Sequence, residues 1–296
     1  MPGPEIETIV EMLRASPPVV GDDIHEMRAG MTAATAEMPL PEDVAFEPID
    51  AGGVAAEWTR APGMRDDRTV VYLHGGGYVM GGISTHRLLC AEISRATRAP
   101  VISVDYRLAP ENPYPAAVDD AMAAYRFVLE QSIAPGSVAI GGDSAGGGLT
   151  IATLLALRDE GAQLPGAAFC ISPWADLTQT SDSMTTKADE DPMVQRESLQ
   201  LMADAYCGEA DPKTETISPV FADLAGLPPL LIQVGTAEVL LDDARKLAEN
   251  ARAANLDVTL EQWEDMIHVW HGFSMMLPEA REAITRIGEY LDARVD

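Results

Sequence analysis

The segment from Ser137 to Gly148 constrains the fold more than any other part of the chain. It begins with a short apolar run, passes through the pattern G-x-S-x-G from Gly142 to Gly146, and leads into a helical pattern. A turn this tight leaves no room for side chains two residues before and after its serine. The segment therefore predicts a strand, a sharp turn and a helix. Ser144 would project above a sheet at the helix N-terminus, where the helix dipole favours negative charge.

Strand-like and helix-like patterns alternate along the chain from Val44 onward. Five short apolar or β-branched runs predict strands: Thr69–Leu73, Val101–Asp105, Ser137–Ile140, Ala167–Ile171 and Leu230–Val234. Helical periodicity lies between most of them, at Thr85–Thr97, Ala116–Gln131, Gly147–Arg158 and Asp242–Ala254. Continuous apolar strands joined by helices are typical of a parallel sheet with right-handed crossovers. The predicted fold class is a doubly wound α/β architecture.

Two segments fall outside this alternation. Residues 1–45 are acidic and helical in pattern, with an apolar stripe at Ile6, Ile9, Val10 and Leu13 and a second helical stretch from about Asp22 to Glu37. Residues 173–226 form a connection that is too long for a simple crossover. We interpret 1–45 as an N-terminal helical cap segment and 46–296 as the catalytic domain. The insertion at 173–226 would contribute to the cap.

The charge and the cysteines narrow the classes of partner. The 296 residues carry 20 Lys+Arg against 47 Asp+Glu, and the net charge of −27 repels nucleic acids and anionic membranes. The cysteines Cys90, Cys170 and Cys207 are odd in number and widely spaced, which favours free thiols over a disulfide framework or a zinc knuckle. We expect no metal or cofactor.

The N-terminus and the hydropathy pattern bear on location. The first residues lack the basic region and the apolar stretch of a signal peptide. No window approaches the roughly 18 apolar residues of a membrane span. A cytoplasmic protein is therefore expected.

A second glycine-rich motif leaves the end of the predicted strand Thr69–Leu73. It reads His74-Gly-Gly-Gly-Tyr78. Glycine amides can approach an oxyanion closely because no Cβ blocks them. The amides of Gly75, Gly76 and Ala145 therefore predict a donor cluster for a tetrahedral intermediate. Taken alone, the motif would suit a glycine-rich surface turn equally well.

A hydrolytic serine needs a base farther along the chain. Among five histidines, His268 follows the last strand-like run, and His271 three residues later is its competitor. A zinc site at this pair is disfavoured because no third ligand lies nearby.

The orienting acid should follow the predicted strand Leu230–Val234. Glu238 leaves the end of that strand directly. Asp242 and Asp243 come one turn later and suit the acidic first turn of a helix. Glu238 is therefore the favoured acid, with Asp242 as the alternative.

Together these motifs resemble the bacterial hormone-sensitive-lipase family (family IV) of α/β-hydrolase esterases. The resemblance runs from about Ala45 to the C-terminus and rests on His74–Gly77, Tyr106–Glu111, Gly142–Gly147, Glu238–Asp242 and Met266–His268. It implies an α/β-hydrolase fold, with a mostly parallel central sheet flanked by helices and a small helical cap. The order Ser144, Glu238, His268 matches the order of nucleophile, acid and base in that fold.

The resemblance also assigns roles to single residues. It implies His268 as the base, Gly75, Gly76 and Ala145 as oxyanion donors, and a structural role for Tyr106–Glu111. At one position the chain departs from the common family pattern Asp-Pro-Leu-x-Asp, reading Glu238-Val-Leu-Leu-Asp242 instead. Alignment puts Glu238 at the catalytic acid position.

The predicted activity is a serine carboxylesterase acting on short- to medium-chain acyl esters through an acyl-enzyme. The small cap lacks the large apolar lid expected of an enzyme that works at an oil interface. An amidase or deacetylase would use the same triad and stays open. A non-catalytic small-molecule receptor, such as the related plant gibberellin receptors that have lost the catalytic histidine, is disfavoured by His268. The expected partners are a small ester and, as in many family members, a second copy of the chain, without nucleic acid or a membrane anchor.

Overall fold

An eight-stranded sheet runs through the computed structural model, which describes residues 3–15, 23–36 and 38–295. Its strands are β1 (Ala45–Asp50), β2 (Ala55–Arg60), β3 (Thr69–Leu73), β4 (Val101–Val104), β5 (Val138–Asp143), β6 (Ala167–Ile171), β7 (Leu230–Gly235) and β8 (Val258–Trp263). Their spatial order is β1-β2-β4-β3-β5-β6-β7-β8. All neighbours from β4 to β8 are parallel, whereas β1–β2 and β2–β4 are antiparallel. The predicted mostly parallel sheet is confirmed.

The five predicted strands are β3 to β7, and the three strands that were not singled out lie toward the edges. Every residue of β3, β4, β5, β6 and β7 is buried, which explains their continuous apolar runs. Strands β1 and β8 have largely half-exposed or exposed residues. An edge strand faces solvent and needs no apolar run, so its sequence signal is weak.

Nine helices accompany the sheet within the described residues. They are α1 (Pro4–Ala15), α2 (Ile24–Ala36), α3 (Ile83–Thr97), α4 (Ala116–Glu130), α5 (Ala145–Asp159), α6 (Ser183–Thr186), α7 (Arg196–Cys207), α8 (Leu241–Ala253) and α9 (Pro278–Asp292). Helices α1 and α2 match the N-terminal helical patterns, although Asp22 and Glu37 lie outside the described residues. Helices α6 and α7 lie within the inserted segment 173–226.

Apolar side chains cover both faces of the sheet. One cluster joins the sheet to α3 and α9 through Leu89, Cys90, Ile93, Ile284 and Ile287. The larger cluster includes residues of α4, α5 and α8, such as Tyr125, Leu149 and Leu247. Full burial of one such side chain contributes about 1.5–3 kcal/mol. The two layers hold the sheet rigidly, so loops at its carboxyl edge have a fixed base.

The cysteines match their predicted state. Cys90, Cys170 and Cys207 are buried free thiols. Burial in apolar surroundings raises the pKa of the Cys207 thiol to about 11 and raises the pKa of Cys90 and Cys170 further still. In the part of the chain that the structure describes, no helix is both long and apolar enough to cross a bilayer.

Candidate active site

Ser144 occupies the sharp turn between β5 and α5. Its backbone is strained, with φ 52° and ψ −120°, in a region that non-glycine residues rarely adopt. Its N–H donates to the Ile171 carbonyl at 2.8 Å, which ties the turn to the end of β6. A Cβ on Gly146 or on Gly142 would collide with the Leu73 carbonyl oxygen of β3. The predicted strand, turn and helix are present, and the glycines are required for the reason given by the sequence.

The loop after β3 brings unpaired amides close to this turn. The amides of Gly76, Gly77 and Ala145 have no acceptor among the described residues. The amide of Gly75, however, donates to Asp143 Oδ1 at 3.0 Å. An amide that already donates to a buried carboxylate has no proton for a second acceptor, so the structure contradicts the predicted oxyanion role of Gly75. Its bond to Asp143 instead holds the glycine loop against the serine turn.

Asp143, immediately before Ser144, is the centre of a buried polar cluster. The Tyr72 hydroxyl donates to its Oδ1 at 2.6 Å, and His86 Nε2 lies 3.5 Å from the same oxygen. Burial alone would raise the pKa of Asp143, but His86, Tyr72 and His74 outweigh it and lower the pKa to about 2. Burial likewise opposes the charged form of His86, yet Asp143 raises its pKa overall. Asp143 therefore favours the charged form of His86, and both residues lie beside the glycine loop that begins at His74.

His268 and Glu238 meet in a second buried pair. Nδ1–H of His268 donates to Glu238 Oε2 at 3.1 Å, and the two side chains are 6% and 0% exposed. Burial raises the pKa of Glu238, and the neighbouring Asp191 adds to that rise while His268 opposes it. Burial opposes the charged form of His268, but Glu238 and Asp191 raise its pKa above 6.5 overall. This pairing orients the imidazole with its other nitrogen, Nε2, free for a reacting group.

The two pairs share one edge of the sheet. Ser144 follows β5, Glu238 follows β7, and His268 follows β8, all at the carboxyl ends of parallel strands. A short series of hydrogen bonds connects the Ser144 turn to the loop that carries His268. Ser144 bonds to Ile171, and the hydroxyl of the next residue, Ser172, accepts the N–H of Val269 beside His268 at 3.1 Å. The three residues that the sequence singled out therefore lie at the same edge of the sheet.

Comparisons with known proteins show the family to which the chain belongs. A sequence profile of the alpha/beta hydrolase fold matches residues 70–272. An acetyl-hydrolase of Streptomyces hygroscopicus is 44% identical, covering 98% of this chain and 97% of its own length. An esterase of Acinetobacter venetianus is 36% identical over 85% of this chain and 83% of its own length. A crystal structure of an esterase from the bacterial hormone-sensitive lipase family is 47% identical, with a TM-score of 0.96 over 100% of both chains.

The chain belongs to the bacterial hormone-sensitive-lipase family of α/β-hydrolases. It is accordingly a carboxylic ester hydrolase. The predicted α/β-hydrolase fold is confirmed, since the matched profile spans more than half of the chain.

Two residues beside the Glu238–His268 pair were not among the residues predicted from the sequence. Asp191, in the inserted segment, is 2% exposed, and its carboxylate accepts the N–H groups of Met193, Val194 and Val239 at 2.9–3.0 Å. Ser172 is fully buried at the end of β6. Neither lies in a recognisable motif. Val239 replaces the proline of the common family pattern, and its N–H, which a proline would lack, is one of the three that Asp191 accepts.

The competing residues have other partners. His271 Nε2–H donates to Gln233 Oε1 at 2.8 Å, and burial lowers the pKa of His271 to about 3. Asp242 accepts the Ser183 N–H at 2.9 Å and pairs with Arg245 at 3.0 Å. Neither residue forms a hydrogen bond or ion pair with His268 in the part of the chain that the structure describes. No group of three metal-ligating side chains occurs among the residues described here.

The segment Tyr106–Glu111 packs against the glycine loop that begins at His74. The Tyr106 hydroxyl donates to the His74 carbonyl at 2.7 Å, and its ring stacks on His74 at 4.1 Å. Arg28 of α2 donates to the carbonyls of Val79 and Ala109 at 2.6 and 2.7 Å, and it pairs with Glu111 at 2.7 Å. These contacts connect an N-terminal helix to the loop that carries Gly76.

Proposed function

We propose that this esterase hydrolyses short- to medium-chain acyl esters with Ser144 as nucleophile, His268 as base and Glu238 as orienting acid. The observation that carries the proposal is the buried 3.1 Å contact from His268 Nδ1 to Glu238 Oε2 at the sheet edge where Ser144 turns. A carboxylate in this position selects the imidazole tautomer whose Nε2 can accept a proton. It also stabilises the imidazolium that forms when the proton is transferred.

The first half of the reaction acylates the serine. His268 Nε2 takes the Ser144 proton as Oγ attacks the ester carbonyl, and the carbonyl oxygen becomes an oxyanion. The free amides of Gly76, Gly77 and Ala145 are the donors proposed to bind it. Removing one such donor typically lowers kcat by about 10²–10³. The oxyanion collapses, the alcohol leaves with a proton from His268, and Ser144 keeps the acyl group.

The second half regenerates the enzyme. His268 takes a proton from water as the water attacks the acyl-enzyme, and the same amides stabilise the second oxyanion. The carboxylic acid leaves as His268 returns the proton to Ser144. No step requires a metal or a cofactor.

The side chains next to the oxyanion loop suit a small acyl group. Met202 of α7 packs so closely on Gly77 that a Cβ there would meet its Sδ. The rings of Tyr78 and Tyr206 stack with centroids 3.7 Å apart. Such packing against the donor loop leaves little room for a long chain on that side. The related protein of Streptomyces hygroscopicus is named an acetyl-hydrolase, which agrees with a short acyl group.

Steady-state rates on p-nitrophenyl esters with acyl chains of two to sixteen carbons test the proposal. We expect the largest kcat/KM at eight carbons or fewer and the loss of activity in Ser144→Ala. A maximum at twelve or more carbons would refute the chain-length assignment. A folded Ser144→Ala variant with wild-type activity would refute the nucleophile. An anilide series run in parallel reports amidase activity, the alternative use of the same triad.

The acid side of the pH profile provides a separate test. The base must be neutral to accept a proton, and the two carboxylates around His268 raise its pKa. We therefore expect kcat/KM to rise with pH through an apparent pKa above 6.5. An acid limb well below 6.5 would show that the titrating base is a different group or lies in a different setting.

We also propose that α1, α2 and the insertion 173–226 form a cap over the site. Arg14 of α1 donates to the Asp189 carbonyl in the insertion at 2.9 Å. Arg28 of α2 and Met202 of α7 both contact the glycine loop or its continuation at Val79. Variants that loosen these contacts, such as Arg28→Ala, should raise KM more than they lower kcat.

A homodimer through β8 is the proposed assembly. In the sheet order β8 is an end strand and pairs with β7 alone. A free strand edge can pair with a second copy. Light scattering should give about twice the chain mass of 31.6 kDa. A monomer at all concentrations tested would contradict this assembly.

A further inference from the structure

Ser172 has a backbone conformation that a serine adopts only under constraint. It follows β6 directly, is fully buried, and has a φ of 46° in the left-handed region. Its N–H donates to the Gln233 carbonyl of β7 at 2.7 Å, which holds that conformation. Glycine would adopt it without strain. The feature that serine has and glycine lacks is the hydroxyl, so the position of the hydroxyl indicates its use.

The Ser172 hydroxyl lies between Glu238 and the loop that carries His268. Its oxygen accepts the N–H of Val269, the residue after His268, at 3.1 Å. Val269 is also left-handed, with a φ of 48°, so this bond joins two strained residues. The hydroxyl proton is not used by that bond and needs an acceptor of its own.

Glu238 offers the missing acceptor. Its Oε2 receives His268, whereas its buried Oε1 has no hydrogen-bond partner among the described residues. An unpaired oxygen on a buried carboxylate is costly, so a nearby donor is expected to turn toward it. Ser172 lies close enough for its hydroxyl to lower the pKa of Glu238. The Ser172 hydroxyl proton thus lacks an acceptor, and the nearby Glu238 Oε1 lacks a donor.

We propose that Ser172 is a positioning residue of the triad, accepting the Val269 N–H and donating its hydroxyl proton to Glu238 Oε1. This inference rests on the proposed roles of Glu238 and His268. The hydroxyl keeps the carboxylate plane turned toward the imidazole and fixes the backbone immediately after His268. It contacts the acid and not the substrate, so it acts through the orientation and the basicity of Glu238.

The proposal predicts the direction of a shift in pH dependence. The groups that act on the Glu238 carboxylate are His268, Asp191 and Ser172, and Asp143 also acts on His268. Removal of the hydroxyl leaves a more basic carboxylate, because a hydrogen bond to the charged form is lost. Glu238 then retains a proton to higher pH and also favours protonated His268. Both effects move the acid limb of kcat/KM to higher pH.

Three substitutions separate the hydroxyl from the strained backbone. Ser172→Gly removes the hydroxyl and suits the left-handed backbone, Ser172→Ala removes it and keeps the Cβ, and Ser172→Cys keeps a weak donor. We expect kcat to fall about 10- to 100-fold in the glycine and alanine variants, as is typical for a hydrogen bond to a charged group. KM should change less than kcat, and the acid limb should move upward. The cysteine variant should be intermediate in both.

Ser183→Ala is the matched control. The Ser183 hydroxyl is also buried and donates to the carbonyl of Val239, next to Glu238, at 2.6 Å. It makes no bond to the Glu238 carboxylate. We expect this variant to unfold at lower denaturant concentration while its acid limb stays at the wild-type pH.

The outcomes distinguish the positioning role of Ser172 from the proposed triad on which it rests. If Ser172→Gly folds and keeps the wild-type kcat and acid limb, Ser172 has no positioning role. The same conclusion follows if Ser183→Ala shifts the acid limb as much as Ser172→Gly does. In either case, activity lost in Ser144→Ala and Glu238→Gln leaves the triad intact. If those two variants keep full activity, the proposed function itself is wrong.

Discussion

Within the described residues, two buried carboxylate–histidine pairs lie at the carboxyl edge of the sheet, and they differ in how the carboxylate is surrounded. Asp143, the last residue of β5, has the Tyr72 hydroxyl, the Gly75 amide and His86 around Oδ1, and its pKa is lowered to about 2. Glu238 after β7 has His268 on one oxygen and no partner on the other among the described residues. Burial and the charge of Asp191 raise the pKa of Glu238.

The difference indicates that hydrogen-bond donors and nearby charges decide whether a buried carboxyl group has a lowered or a raised pKa. Asp143, which is surrounded by hydrogen-bond donors, is a stable anion that holds the glycine loop in place. Glu238 has fewer donors around it, so in the proposed mechanism its charge remains available to stabilise the positive charge that develops on His268. The histidines follow the same rule, because burial lowers the pKa of His74 and His271 to about 3, while two carboxylates raise the pKa of His268.

The largest expected effect comes from Glu238→Gln. An amide cannot balance an imidazolium, and it can stabilise the wrong tautomer, so kcat should fall about 10⁴-fold. Asp242→Asn is the control, since Asp242 bonds to Ser183 and Arg245 instead of His268, and its kcat should stay within about threefold of wild type. Rates on p-nitrophenyl butyrate measure both. Equal losses of kcat in the two variants would show that Glu238 has no role that Asp242 lacks.

Asp143→Asn should act on stability as well as on rate. Removing one charge of a buried pair typically costs about 3–5 kcal/mol, because the partner charge stays buried. A folded-state pKa below the usual value means that this stabilisation is present above about pH 4 and is lost as pH falls toward 2. Denaturant titrations at pH 7 and pH 3 should therefore show a smaller deficit at pH 3. The exposed pair Arg126–Glu160 supplies the control Glu160→Gln, which should change stability little.

A third buried carboxyl separates the effect of donors from that of charge. Asp243 accepts the N–H groups of Ala175 and Asp176 and the Ser181 hydroxyl, but no cation contacts it in the described structure. Burial raises the pKa of Asp243 to about 7. A raised pKa means that its stabilising contribution is present below about pH 4 and is lost as pH rises through 7. The loss amounts to at most about 4 kcal/mol.

Asp243→Asn tests this reading, because asparagine imitates the protonated acid and can keep the backbone bonds. We expect the variant to gain stability relative to wild type at pH 8 and to gain less at pH 5. Thermal unfolding across that range provides the measurement. A gain that does not depend on pH would mean that Asp243 stays ionised throughout, and that donors alone suffice to keep a buried carboxylate charged.

The smallest effect is expected at His271. The change His271→Gln keeps a donor for Gln233 Oε1, so it should cost about 1 kcal/mol and leave kcat/KM within about threefold. The same substitution at His268 removes the base and should abolish measurable hydrolysis. Parallel assays and denaturation curves check the pair. A large loss of rate in a stable His271→Gln variant would transfer the role of base to His271.

Much of the fold followed from local patterns. Continuous apolar runs predicted β3 to β7, and the glycines around Ser144 predicted the sharp turn, because burial periodicity and backbone collisions involve neighbours in sequence. Strands β1 and β8 were not singled out because edge strands have mixed exposure. The insertion 173–226 could be recognised by length, whereas the position of its Asp191 beside the acid could not.

The sequence by itself led to Ser144, Glu238 and His268 as the candidate triad, since a G-x-S-x-G turn, a strand end and a late histidine are each visible in a short stretch of chain. Only the tertiary structure decided which hydrogen-bond partners and charges surround these three residues. It gave the Gly75 amide to Asp143, paired His271 with Gln233, and set Ser172 and Asp191 beside Glu238. These assignments depend on donors, acceptors and charges from distant segments that share one low-dielectric space, where a single unpaired group changes the pKa of its neighbours.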